Sequence, residues 1–125
     1  MSAQAALAPA LLCAWPAFAE GGELYPAADC AALWFGYGDY AAVSAFLDGQ
    51  QAAYDKANAF RAAAIRLTGD AEAVEAHIAR WRPDMALMME AYIGYADRSS
   101  REIFERLSDT CKDFARTQPE TRLLQ

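Results

Sequence analysis

From Ala27 onward the apolar positions fall at the three- and four-residue steps of an α-helix, with polar residues between them. Cys30, Leu33, Trp34, Tyr37 and Ala41 occupy one stripe about 60° wide when each residue turns about 100°. This spacing predicts a helix over 27–47, with Pro26 suited to its first turn. Gly36 and Gly38 weaken that helix. A kink or break is therefore expected near Gly38, where Asp39 could cap a fresh start. "DGQ" at 48–50 reads as a turn. A second helix covers 50–67, with Ala53, Ala57, Phe60, Ala64 and Leu67 as its inner stripe, and its small residues permit close helix–helix approach. "TGD" at 68–70 ends it and starts the next helix, with Asp70 as the cap.

From Val74 the apolar positions are 74, 78, 81, 85, 88, 92 and 95, the heptad spacing of packed helices. Pro83 lies inside this run and removes one backbone donor, so a kink or short break is expected near Arg82. "DRSSRE" at 97–102 then interrupts, and Ser99 with Glu102 matches a capping box. A last helix is expected to about Thr117, turning Ile103, Phe104, Leu107, Cys111 and Phe114 inward, and Pro119 stops it. The apolar phase also permits a single helix over 84–117, about 50 Å long at 1.5 Å per residue. The fold class that follows is all-α: a small antiparallel bundle of about four main helices, with breaks or kinks near Gly38 and Pro83.

Composition adds to this picture. The 125 residues suffice for one domain, and the abundance of alanine favours helix. Net charge is −6 with no basic run, which disfavours nucleic acid and anionic lipid as partners.

The segment "AALAPALLCAWPAFA", 5–19, carries no charge and is too short to span a bilayer. It ends in Ala17-Phe18-Ala19, small residues where a signal peptidase reads, and Glu20 follows. Residues 1–19 are therefore read as a secretory signal and 20–125 as a single helical domain in the periplasm or outside the cell. "MSAQ" lacks the basic residue usual at such a start, and the competing reading is a buried N-terminal helix. No stable membrane insertion of the mature chain is expected. Removing the signal removes Cys13 and leaves Cys30 and Cys111, an even count that reads as a disulfide in an exported protein. Closing so long a loop stabilises the fold by roughly 4.5 kcal/mol in the chain-entropy model.

Catalytic chemistry has little support. His77 is the single histidine, at the edge of an apolar stripe. Glu90 and Asp97 are not marked as a paired acid and base. There is no CxxCH haem site and no glycine-rich loop opening a helix, so no cofactor is expected. Met85, Met88 and Met89 share one side of a helix, and thioethers suit Cu(I). The same positions are the packing seam, where Met is a common filler.

Phe35 points about 100° away from Trp34, off the apolar stripe. Either the helix unwinds toward Gly36 and returns Phe35 to the core, or Phe35 stays exposed and forms with Tyr40 an apolar patch for a partner. The functional expectation is a small exported module that is not an enzyme and binds a protein. A methionine-based Cu(I)-binding protein is the alternative.

Overall fold

The computed structural model describes residues 24–124; the signal-like segment 1–19 lies outside them. The described residues form four α-helices and no strand: α1 (Ala27–Val43), α2 (Gln50–Thr68), α3 (Ala71–Met89) and α4 (Arg98–Ala115). A π-helical turn, Glu90–Gly94, extends α3. None of these helices is long and apolar enough to cross a membrane. The all-α bundle expected from the periodicity is the fold observed.

The turn chemistry acts where the sequence places it. Gly49 (φ 94°) precedes α2, and Gly69 (φ 67°) ends it in the left-handed region while its N–H donates to Ile65 O. Asp70 caps α3 by accepting from Ala73 N at 3.0 Å.

Chain direction alternates up, down, up, down. α1 therefore runs parallel to α3 and antiparallel to α2 and α4. Asp29 meets His77 low on α1, Gly36 meets Met85 midway, and Tyr40 meets Gly94 near the top. α1 is the central helix. Its buried residues, among them Ala27, Ala28, Cys30, Ala31, Ala32, Leu33, Trp34 and Ala41, go all the way round it. A single 60° stripe underestimates such a helix, because α2, α3 and α4 each cover a different face.

The glycines of α1 have a different role from the one the sequence suggests. The helix is continuous through both. A Cβ on Gly36 would lie 2.4 Å from Met85 Cβ and 2.7 Å from Ala86 N, so α3 packs directly on this backbone. A Cβ on Gly38 would lie 2.4 Å from the Tyr54 ring of α2. Two residues apart on a helix is nearly half a turn of the circumference, so the two glycines admit two different neighbours.

α3 also runs through Pro83 without a break. Its inward residues are Val74, Ile78, Met85, Met88 and Met89, so the heptad positions 74, 78, 85 and 88 face the core, and Arg82 is half-buried beside them. Trp81, expected inward, is 37% exposed, and Tyr95 is 76% exposed. The run ends at Tyr95–Ala96: Asp97 N donates to Ala91 O at 2.9 Å, with Ala96 in the left-handed region at φ 54°. Residues 84–117 are thus two helices. Asp97, not Ser99, caps α4; its carboxylate accepts from the Ser100 N–H at 2.9 Å and from the Ser100 hydroxyl at 2.7 Å. Ile103 is 44% exposed, and Ser108 and Ala115 take inward places instead.

Cys30 of α1 and Cys111 of α4 form the disulfide, with Cα atoms 5.7 Å apart and 81 positions between them in sequence. Beside it Trp34, Tyr37, Tyr92 and Phe104 pack ring to ring, with centroids 5.1–6.1 Å apart. After Ala115 the tail folds back. Thr121, fully buried, donates to Ala115 O at 2.8 Å. Arg66 of α2 holds Glu120 with two hydrogen bonds of 2.5 and 3.0 Å.

Candidate functional site

A concavity lies between α1, α2 and α4 and is closed at one side by the folded-back tail. Its volume is about 370 Å³, within the range of small-molecule sites, about 300–1,000 Å³. Trp34, Phe60, Cys111, Ala115 and Leu124 supply its apolar lining. Lys56, Lys112, Arg116 and Arg122 supply its charge, and Ser108 adds a hydroxyl. No Asp or Glu lines it among the described residues.

Each wall follows from local structure. The small residues Ala53, Ala57 and Ala64 bring α2 close to α1, and this lays the stem of Lys56 along the Trp34 face. Lys56 Nζ stands 4.3 Å from the ring centroid, a cation–π contact. The disulfide fixes Cys111 against α1 and so delivers its neighbour Lys112 to the same cleft. The Thr121 and Glu120 contacts place Arg122 and Leu124 on the far wall. Burial pushes the Lys56 ammonium below its ordinary pKa, and the charge of Lys112 adds to the effect. Arg116 pairs with Asp113 at 2.5 Å, a pair exposed to solvent.

A second constellation joins three helices. Arg82 of α3 donates from Nε to Asp39 Oδ2 at 2.6 Å and from Nη2 to Oδ1 at 2.8 Å. Tyr54 of α2 donates its hydroxyl to Asp39 Oδ1 at 2.7 Å. The guanidinium lies 4.5 Å from the Phe35 ring centroid. Arg82 holds the Asp39 carboxyl below its usual range, against a smaller opposing effect of burial. Burial, then the hydrogen bond to Asp39, raises the Tyr54 hydroxyl. The carboxylate's strong donors are thus already supplied from within the bundle, so this cluster is a clamp.

His77 reaches Asp29 Oδ1 with Nε2 at 2.5 Å. The pair lies beside a smaller hollow of about 180 Å³ lined by Asp29, Ala32, Trp81, Met85 and Leu107, with no hydroxyl or thiol among these residues. No group of three or more His, Cys, Asp or Glu side chains is arranged to hold a metal among the described residues.

The residues singled out from the sequence are spread over the bundle. Phe35 is half-buried between Arg82 and Tyr54, its ring 6.2 Å from that of Tyr54. Tyr40 is half-buried with its hydroxyl against Gly94. Phe35 reaches this position without the helix unwinding, because α1 has a packed neighbour on that side too. Met88 and Met89 are buried in the core, and Met85 packs against it beside Gly36. Sequence reasoning missed the cleft. The one available signal was that the chain's two lysines stand among nine arginines.

Compared with protein-family models, with curated proteins and with solved structures, the chain matches none.

Proposed function

We propose that this protein works after export as a non-enzymatic binding module that takes its ligand in the cleft between α1, α2 and α4. One observation carries the reading: both lysines of an acidic chain converge with Arg116 and Arg122 on one concave, apolar-lined site. Cations above aromatic and aliphatic surface are binding groups, suited to an anion with an apolar part. The export half rests on the signal-like segment ending at Ala19 and on the Cys30–Cys111 pair, which suits an oxidising compartment.

A protein partner was expected at an exposed Phe35 and Tyr40. Both pack into the bundle, so the cleft is the better-supported place for a ligand. The test is native mass spectrometry of the protein isolated from the exported fraction of its own host. A co-purifying mass that a Lys56→Gln/Lys112→Gln variant lacks supports the module. The bare mass alone, or an adduct that the variant retains, overturns it. An intact Met1 or Ser2 on the same material overturns export.

A further inference from the structure

Resting on that reading of the cleft, we propose that its ligand is a medium-chain carboxylic acid, held with its carboxylate between Lys56 and Lys112 and its chain against Phe60, Ala115 and Leu124. Three features of the site select this class. The charge is cationic, with Lys56 contributed by α2 and Lys112 by α4 to the same cleft. An anion bridging them offsets the burial, and the smaller repulsion from Lys112, that depress Lys56. Apart from its cations the lining is apolar and carries one hydroxyl, Ser108, so a sugar would bury polar groups with few partners there. The volume of about 370 Å³ admits a short apolar chain and not a folded domain or a nucleic-acid strand.

Trp34 is already faced by Lys56 at 4.3 Å. The ammonium can leave this position for a carboxylate by rotation of its flexible stem, because no carboxylate holds it among the described residues. The bound acid would then exchange a cation–π contact for a charge-assisted hydrogen bond, the stronger of the two.

The full-length oxidised protein is titrated with decanoate, read by calorimetry and by the amide NMR shifts of Lys56, Lys112 and Ala115. Saturable binding with shifts at these positions is expected. Decyltrimethylammonium, with the same tail and opposite charge, and inorganic phosphate, with charge and no tail, should leave them unmoved. Lys112 is exposed, so Lys112→Gln should fold normally and weaken decanoate binding about tenfold, the factor a charge-assisted hydrogen bond contributes. Lys112→Arg should restore most of it. The proposal is overturned by absent decanoate binding, by equal shifts with the cationic amphiphile, by phosphate binding as tightly as decanoate, or by unchanged affinity in Lys112→Gln. A failure here with a Lys56- and Lys112-dependent adduct still seen on native material would refute this ligand class and leave the binding module standing.

Discussion

Replacing Gly36 by alanine separates two readings of α1 by the sign of the effect. If glycine is merely a weak point in the helix, alanine stabilises by about 1 kcal/mol, because it has the higher helix propensity. The structure demands the opposite. The added Cβ would lie 2.4 Å from Met85 Cβ, 2.7 Å from Ala86 N and 2.9 Å from Arg82 O, where ordinary contact begins at 3.4 Å. Two of these three atoms belong to the α3 backbone, so no side-chain rotation relieves the clash. α1 and α3 must part by roughly 1 Å along the interface that also buries Leu33, Ile78 and Met89. Overpacking of a core costs about 1–3 kcal/mol and sometimes more, and a rigid backbone contact belongs at the upper end. After the propensity gain, a net loss of about 2 kcal/mol is expected, which for a domain of this size lowers Tm by about 10 °C. Thermal unfolding followed by circular dichroism, with the disulfide intact, measures it. A Tm equal to or above that of the wild type would refute the close α1–α3 approach and return Gly36 to the role of a helix break.

Reduction of Cys30–Cys111, which closes a loop of 81 positions, should destabilise by up to about 4.5 kcal/mol. Chemical unfolding with and without reductant measures this, and free thiols in the folded, unreduced protein would contradict the link. Trp34→Ala removes a ring that packs on Tyr37 and Phe104 and floors the cleft; a loss of about 3–5 kcal/mol is expected in the same assay, and a near-neutral effect would mean the aromatic cluster collapses around the gap. Asp39→Asn should cost about 1–2 kcal/mol at neutral pH, reduced from a buried pair by the partial exposure of both groups. Because Arg82 lowers the Asp39 pKa in the folded state, that contribution is complete above the ordinary value of 3.8 and is lost as pH falls through the lowered one. The Tm gap between wild type and variant should therefore be constant from neutral to mildly acidic pH and close only below that range; a gap that closes near pH 6 would assign it to another group.

The four helices were legible from local signals, although the breaks those signals suggested at Gly38 and Pro83 are absent. Gly49, Gly69 and Asp70 act at the positions the turn chemistry names, and the two cysteines pair as their even count implies. What failed was periodicity taken one helix at a time. A stripe says which face is apolar, and for α2 that is nearly enough, since Ala53, Ala57, Phe60 and Ala64 are buried and only Leu67, at the end of the helix and 45% exposed, departs from it. α1 is covered on several sides, so its off-stripe residues, Phe35 and Gly38 among them, are packing residues as well. In α3 the seven-residue spacing holds at Val74, Ile78, Met85 and Met88 and misses at Trp81, which is 37% exposed while Arg82 beside it turns toward Asp39 of α1. Arg82, singled out in the sequence only as the place of a kink, is the centre of a three-helix clamp with Asp39 and Tyr54.

The cleft was invisible for an electrostatic reason. A net charge of −6 describes the sum and not the distribution. Arg61, Arg66, Arg82, Arg101 and Arg116 each take a carboxylate, which suits a planar fork that matches two oxygens in fixed geometry. Neither lysine is so paired among the described residues, and both stand at one site although 56 positions of chain separate them. A flexible point charge is the poorer partner for a structural carboxylate and the better one for a group that comes and goes. The division of labour between nine arginines and two lysines thus depends on α2, α4 and the tail meeting in space. The disulfide and the Arg66–Glu120 contact hold them there, and the position of a lysine along the chain carries no trace of that meeting.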